Sequence, residues 1–262
     1  MLNLPKLTTE VAELAQKVGA FIHNEAQNFD LSKIEHKGTN DLVSYVDKES
    51  EKQLVEGLKK ILPKAGFLTE EGTETFENSD LYWVIDPLDG TTNFLHGLPV
   101  FSISIGLMKN NDVVLGVVFE VNKKECFTAY KGGGAFCNGK KISISTITKL
   151  QESLIATGFP YSLLNKGEQY FNIMRELQES SHGLRRLGSA AVDLCYVACG
   201  RFEAYYEFNL HPYDVAAGII IVKEAGGFAS DFNNGNTCVN GHEILAAGNI
   251  HAQVLSVIQK HW

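Results

Sequence analysis

Residues 83–94 constrain this chain most, because they place two acids on a stiff turn between an apolar run and a helix start. The segment reads W-V-I-D-P-L-D-G-T-T-N-F. Its first three residues are apolar and partly β-branched, which predicts a buried strand over 83–85. Pro87 fixes its own φ and disfavours helical geometry at Asp86. The sequence therefore predicts a rigid turn that presents Asp86 and Asp89 at the end of a strand.

The residues after this turn predict a helix N-terminus that faces a ligand. Gly90 permits close approach of the backbone to a bound group. Thr91, Thr92 and Asn93 are residues that can cap a helix, and such a start leaves backbone amides pointing outward. Two carboxylates beside a helix N-terminus suit a hard cation together with a phosphate. An acid-rich turn that binds nothing is the alternative interpretation.

Two further segments carry acids at predicted element ends. Glu70 and Glu71 follow a short strand over 65–68, and Glu70 can lie beside Asp86 if this strand neighbours the next one. Alone, that acidic pair is typical of a solvated turn. Asp214 opens a long apolar helix, where an acid is also a common partner of the helix dipole. Gathered carboxylates repel one another unless cations neutralise them, and an all-oxygen set without a His or Cys pattern favours Mg²⁺ over zinc.

Several of these motifs resemble one family. The run D-P-L-D-G-T-T-N-F at 86–94 resembles the signature of the inositol monophosphatases, which are Mg-dependent, lithium-sensitive phosphatases. The E-E pair at 70–71 and the Y-D-V-A-A helix start at 213–217 resemble two other family motifs, with Tyr213 where Trp is usual. The resemblance runs from the first predicted helix to about residue 227, and loosely to the end. It implies two to three Mg²⁺ ions, with ligands at Glu70, Asp86, the backbone carbonyl of Leu88, Asp89 and Asp214.

The resemblance also implies catalytic and substrate-binding residues. Asp47, at the end of D-L-V-S-Y-V-D, would orient Thr91, which would aim the attacking water; helix capping is the alternative role of Asp47. Glu70 is a second candidate for taking the proton of the water. The amides of Gly90, Thr91 and Thr92 would hold the phosphate. The rest of the substrate would contact Gly188, Ser189, Ala190 and Glu207.

The pattern of elements predicts an α/β layered sandwich. Hairpin-like strands dominate before residue 150, and strands alternate with helices after it. A chain of 262 residues allows one large domain or two close lobes. The resemblance implies one domain over 1–262 with layers in the order α-β-α-β-α. A polar join at 146–151 predicts two lobes, roughly 1–148 and 149–262.

Three local predictions are more specific. Thr8 or Thr9 is a plausible cap for the first helix. Residues 142–145 alternate like a short strand. Residues 33–40 are polar and predict an exposed, mobile loop, which the resemblance loosely matches, at Lys37, to a loop that closes over the site.

Composition limits the partners and the compartment. The formal net charge of -8 disfavours direct contact with nucleic acid or an anionic membrane. Bound divalent cations would reverse the charge locally and admit a phosphate. Five cysteines without a C-x-x-C pair indicate reduced, mostly structural thiols. Without a signal-peptide pattern or a run of membrane-spanning length, we expect a soluble cytoplasmic protein.

These observations predict Mg-dependent hydrolysis of a phosphate monoester by a metal-activated water. The match of Glu207 and of the G-S-A run at 188–190 favours inositol monophosphate as the substrate. Fructose bisphosphatases, phosphatases of phosphoadenosine phosphate and histidinol phosphatases on the same fold remain alternatives. A regulatory protein-binding module is an alternative from another class, because some bacterial members of the family bind transcription machinery. By family analogy we expect a homodimer.

Overall fold

Helices and sheets alternate through the molecule. The computed structural model describes residues 2–28, 34–38, 41–75, 79–159 and 165–262, with side chains throughout except at 34–38 and 41–43. The helices are α1 (Leu4–Gln27), α2 (Tyr45–Ile61), α3 (Thr91–Leu95), α4 (Gly167–Ser180), α5 (Ala190–Ala198), α6 (Pro212–Glu224) and α7 (His251–His261). The first nine strands are β1 (Ile34–Gly38), β2 (Asp41–Ser44), β3 (Gly66–Thr69), β4 (Leu81–Asp89), β5 (Ser102–Lys109), β6 (Asp112–Glu120), β7 (Glu125–Tyr130), β8 (Gly134–Cys137) and β9 (Lys140–Lys141). The remaining strands are β10 (Leu154–Thr157), β11 (Gly183–Arg185), β12 (Ala204–Phe208), β13 (Phe228–Ser230) and β14 (Glu243–Ala247).

Two large sheets form the frame. The first has the order β3-β4-β5-β6-β7-β8-β9, and only its β3–β4 pair is parallel. The second has the order β11-β10-β12-β14-β13, with β10 parallel to both of its neighbours. Helices α1 and α2 cover the outer face of the first sheet, α5 and α6 lie between the sheets, and α4 and α7 pack on the far side of the second. The predicted α-β-α-β-α sandwich is confirmed.

Helix α6 shows why the two sheets stack so closely. Its residues 215–222 are all buried, as expected for a helix that is apolar on every side and covered on both. The first sheet makes room for it at Gly116, where a Cβ would lie 2.5 Å from the carbonyl oxygen of Ala217. Because α6 is held between two sheets, the position of Asp214 in its first turn is fixed as well.

Some local predictions are wrong. Helix α1 starts at Leu4, before Thr8 and Thr9, because the Asn3 side chain caps it by accepting from the Lys6 amide at 3.2 Å. Residues 142–145 form no strand; Ile142 and Ile144 alternate because they pack against the core between the sheets. Residues 34–38 are strand β1 rather than loop, paired with β2. Residues 33, 39 and 40 and the Lys37 side chain lie outside what is described.

Two further features bear on the composition-based predictions. All five cysteines are free thiols. Among the described residues, no helix combines the length and apolarity needed to cross a bilayer. The division into two lobes stays a prediction, although the strands of the first large sheet precede residue 142 and those of the second follow residue 153.

Candidate active site

Sheet register brings Glu70 to Asp86. Parallel pairing places Thr69 opposite Ile85, and the Glu70 amide donates to the Ile85 carbonyl at 3.2 Å. Glu70 and Asp86 are the next residues after this pair, so they lie side by side. Their side chains are hydrogen-bonded to each other, and this bond contributes to raising the pKa of Asp86. The two strands are therefore neighbours, which was the condition for Glu70 to lie beside Asp86.

Asp86 and Asp89 lie on an irregular end of β4. The predicted strand end at Ile85 is wrong, since β4 continues to Asp89 with a register shift between the two acids against β5. The shift accommodates Pro87, which has no amide to donate to a neighbouring strand. Burial is the main cause that raises the pKa of Asp86 well above its usual range, followed by the charges of Glu70, Asp89 and Asp214.

Asp89 connects the first sheet to helix α5. Its Oδ2 accepts from the Ser189 hydroxyl at 2.6 Å and from the Ala191 amide at 2.7 Å, and its Oδ1 accepts from the Ala190 amide at 3.3 Å. A carboxylate at a helix N-terminus is favourable because it meets amides without intrahelical acceptors. Burial nevertheless raises the pKa of Asp89 to about 6, against the lowering effect of these hydrogen bonds. Asp89 therefore caps α5 from outside the helix.

Asp214 joins the same group from the first turn of α6. Its Oδ2 accepts from the His211 amide at 2.6 Å in a capping box. Burial first, and then the charges of Glu70 and Asp89, raise the pKa of Asp214 well above its usual range. Four carboxyl groups from three separate segments, namely the end of β3, β4 and α6, thus influence one another electrostatically.

These four groups suit a divalent cation chemically. Burial and mutual repulsion make carboxylates costly in a protein unless positive charge is supplied. The donors are all oxygen, which matches Mg²⁺. Within the described part of the chain, no group of three or more His, Cys, Asp or Glu side chains is already arranged around one point as metal ligands. The mutual charge effects indicate that the four carboxyl groups lie near one another, whereas the role of each predicted ligand stays a prediction.

Thr91 is held by two acceptors. Its hydroxyl lies 2.8 Å from Asp47 Oδ1 and 2.9 Å from the Leu88 carbonyl oxygen. Asp47 Oδ2 also accepts from the amide and hydroxyl of Ser44, which caps α2. Both interpretations of Asp47 fit this geometry, because one carboxyl group caps α2 and fixes Thr91.

The predicted side-chain cap of α3 by Thr91, Thr92 or Asn93 is wrong. Gly90 caps α3 in a left-handed conformation with φ 97°.

Glu207 lines the same cavity as the start of α5. Its side chain is 8% exposed and accepts from the Tyr205 hydroxyl at 2.5 Å. Gly158 leaves room for it, since a Cβ there would overlap the Glu207 carboxyl group. Burial raises the pKa of Glu207 to about 7, although Tyr205 and Arg186 lower it.

A cavity of about 280 Å³ connects these residues. Eight predicted site residues line it, and they are Glu70, Asp89, Gly90, Gly188, Ser189, Ala190, Glu207 and Asp214. Asp86, Leu88 and Asp47 are buried behind it, and Thr91 and Thr92 are partly buried in α3. Sequence reasoning missed Arg186 and Asp193, which also line the cavity. The only sequence signal for Asp193 is an acid within the otherwise apolar run of α5.

Comparison with known proteins gives a consistent result. The model of the inositol monophosphatase family matches residues 3–262. The Nus factor SuhB of Pasteurella multocida is 40% identical over 94% of this chain and 92% of its own length. The chloroplastic phosphatase IMPL1 of Arabidopsis thaliana is 41% identical over 97% of this chain and 70% of its own. The solved structure of an inositol monophosphatase from Anabaena superposes with a TM-score of 0.89 at 32% identity, covering 100% of this chain and 98% of that one.

Proposed function

The chain belongs to the inositol monophosphatase family, and on that premise we propose that it is a magnesium-dependent phosphatase of inositol monophosphate. The observation that carries the proposal is the convergence of Glu70, Asp86, Asp89 and Asp214 beside the anchored hydroxyl of Thr91. Four carboxyl groups with no function would be a large electrostatic cost at one point of a fold. Their arrangement beside a cavity supports a site that works with cations bound.

The Mg²⁺ ions would be held by Glu70, Asp86, the Leu88 carbonyl, Asp89 and Asp214. Bound there, they would supply Lewis-acid charge that lowers the pKa of a water and stabilises the leaving oxygen. The number of ions, two to three, is part of the proposal.

The protein side chains would position the reactants. Because the Thr91 proton points toward Asp47 and the Leu88 carbonyl, the Thr91 oxygen is left to accept a hydrogen bond from the attacking water. Glu70 is a second group that can take the proton of that water. The amides of Gly90, Thr91 and Thr92 would hold the phosphate for in-line attack.

The remaining cavity would bind the inositol ring. Glu207 would accept a hydrogen bond from a ring hydroxyl, and Gly188, Ser189 and Ala190 would form the adjacent wall, which lines the same cavity. The alternative substrates are sugar, nucleotide and histidinol phosphates. A phosphatase of any of them would use the same carboxyl groups, and only the part of the substrate that contacts this wall would differ.

Phosphate release from purified protein tests the proposal. We expect hydrolysis of inositol monophosphate in Mg²⁺, loss of activity in a chelator, and inhibition by lithium. The rival phosphates, assayed side by side, should be poorer substrates. Asp86→Asn should abolish most turnover, while Asp112→Asn, which changes an exposed acid paired with Lys131, should not. Full activity of Asp86→Asn at high Mg²⁺ would refute the metal role of Asp86.

A regulatory function in transcription is the second candidate. It is favoured by the relative of 40% identity that carries the name Nus factor. An intact cation site without turnover of any monoester would favour this candidate over the enzyme. The absence of direct nucleic-acid contact rests on net charge alone and stays a prediction, as does the homodimer.

A further inference from the structure

Asp193 is a buried acid that the proposed chemistry does not use. It lies in the first turns of α5, three residues after Ala190, so both side chains share one face of the helix. Both also line the cavity. An acid near a helix N-terminus is ordinary, but this one is only 2% exposed. Its position places it deeper along the same wall that the substrate would contact.

One oxygen of the Asp193 carboxyl group, Oδ1, is buried without a hydrogen bond that would offset its burial, within the part of the chain that the structure describes. An unsatisfied buried polar group costs stability, and few are found in native proteins. Burial, followed by the charges of Glu207 and Asp89, raises the pKa of Asp193 well above its usual range. The carboxyl group is therefore costly in the free protein, and it belongs to a residue that lines the cavity.

The surrounding residues narrow the chemistry of the missing partner. Glu207 contributes a second buried carboxyl group to the same cavity. Arg186 also lines it, with its guanidinium carbon 5.8 Å from the ring centre of Phe159, and its charge lowers the pKa values of Asp193 and Glu207. The Arg186 guanidinium offsets part of the negative charge that the two carboxyl groups bring to the cavity. Hydroxyl groups suit both carboxyl groups, because each hydroxyl donates and accepts.

We propose that Asp193 is a further specificity residue, which binds a second hydroxyl group of the substrate beside the one that Glu207 would bind. The inference rests on the proposed phosphatase function and adds this residue to it. Asp193 would act as a specificity residue, with no part in the attack on phosphorus. Leaving a site's buried polar group unpaired is a strong way to reject an analogue that lacks the matching hydroxyl.

Steady-state kinetics on three kinds of substrate tests the inference. They are inositol monophosphate, a set of its single-deoxy analogues, and phenyl phosphate, which has no ring hydroxyl. Asp193→Ala should lower kcat/KM for inositol monophosphate by about 10–100-fold, mainly through KM, and affect phenyl phosphate much less. Asp193→Asn should retain most of the activity, because an amide still offers one donor and one acceptor. Glu120→Gln, a change at a buried acid outside the cavity, should leave the substrate ratio unchanged.

The deoxy analogues identify the contact. For one analogue, the wild-type kcat/KM should be lower than for inositol monophosphate by the same factor by which Asp193→Ala lowers kcat/KM for inositol monophosphate. Asp193→Ala should then lower kcat/KM for that analogue little further. Equal losses on all three kinds of substrate, or no loss on any, would overturn the inference while leaving the phosphatase proposal intact. Preference for an amino alcohol phosphate would also overturn it.

Two readouts do not require turnover. Asp193→Asn should raise the Tm of the metal-free protein by about 2–4 °C, because a repelled buried carboxyl group is removed. A lower Tm would mean that Asp193 is structural. If the wild type releases no phosphate at all, the phosphatase proposal fails, and protection of the Tm by inositol monophosphate then reports the contact. Protection that is equal in the wild type and Asp193→Ala, or absent from both, would overturn the inference.

Discussion

The direction of one hydrogen bond decides what Thr91 can do. Its hydroxyl proton is shared between Asp47 and the Leu88 carbonyl, so its oxygen is left as an acceptor. Leu88 lies only three residues before Thr91, whereas Asp47 lies 44 residues earlier and is not recognisable from the sequence near Thr91. The sequence nonetheless predicted this pair through the family resemblance, and the structure shows why the spacing works, because α2 starts directly beside α3.

The acceptor role of Thr91 can be tested by two substitutions. Thr91→Val keeps the shape of the side chain and removes the oxygen, so kcat should fall by about 100-fold or more, with a small change in KM. Thr91→Ser keeps the oxygen and should retain most of kcat. Initial rates at saturating Mg²⁺ provide the measurement. Equal kcat values for the Val and Ser variants would contradict a role for the hydroxyl.

Glu207 gives a pH-dependent stability whose sign can be worked out. Burial raises its pKa to about 7 from an ordinary value of 4.5. The folded protein therefore keeps a proton that the unfolded chain loses, and stability falls as the pH rises from about 4.5 to about 7. Glu207→Gln removes this loss, and its Oε1 can still accept from Tyr205. We expect the variant to be more stable than the wild type at pH 8 by on the order of 2–3 kcal/mol, and equal to it near pH 4.5.

Denaturation in a chelator over pH 4.5–8 measures this difference, because bound cations would otherwise change the charge near the site. The free energies of unfolding of the wild type and Glu207→Gln should differ only as the pH rises. A constant difference across the range would show that the Glu207 carboxyl group titrates normally.

Among the elements, the site depends on how α3 and α5 meet. The Asn93 side chain donates to the Val100 carbonyl at 2.7 Å and to the Leu187 carbonyl at 2.8 Å, which ties α3 to the turn before α5. Gly188 in that turn has φ 90°, and a Cβ there would lie 2.8 Å from the Asn93 amide nitrogen. The turn is thus held against α3 with no room for a side chain.

Asn93→Ala should loosen this junction. Two carbonyl groups lose their donor, which should cost about 1–3 kcal/mol and lower the Tm by several degrees. The KM for substrate should rise as well, because Gly188 lines the cavity. Asn138→Ala is the matched control, since Asn138 also makes two backbone hydrogen bonds, to Lys124 and Cys126, outside the cavity. It should lower the Tm without changing KM; a rise in KM for both would contradict the local role of Asn93.

Element ends were the most informative part of the sequence and also the least accurate. Acids were expected at the ends of β3 and β4 and the start of α6, and the structure places them there. The end of β4 was nevertheless misplaced, because the register shift beside Pro87 is set by pairing with β5. The role of Asp89 as a cap of α5 was not predicted. It joins residues about 100 positions apart, and no local pattern encodes such a contact.

For the whole molecule, the order of strands and helices predicted a layered α/β sandwich, and the family resemblance implied the order of its layers. Hydrophobic periodicity did not show which segments lie between two layers. The alternation at 142–145 indicated a strand, whereas Ile142 and Ile144 pack against the core between the sheets. The sequence did not identify Asp193 as a cavity residue for a related reason, because the burial of an acid depends on which elements cover its helix. In this fold α5 is covered by both sheets, and a helix with that environment has little solvent-facing surface for an acid.

The acid cluster should make the stability of the whole molecule depend on divalent cations. In a chelator, Asp86, Asp89 and Asp214 are buried near one another without compensating charge, so the Tm should be low. Mg²⁺ should raise the Tm progressively with concentration, by the equivalent of about 2.7 kcal/mol at 100 times its dissociation constant. Calorimetry with increasing Mg²⁺ measures this shift.

Asp86→Asn separates this effect from ordinary destabilisation. Removing one charge should raise the Tm in a chelator and, at the same time, reduce the shift that Mg²⁺ produces, because repulsion and ligation involve the same carboxyl group. Asp112→Asn, at an exposed ion pair, should change neither. A general loss of stability would lower the Tm of Asp86→Asn with and without Mg²⁺. A higher Tm in the chelator together with a smaller Mg²⁺-induced shift would therefore show that the same carboxyl group repels its neighbours and takes part in binding the cation.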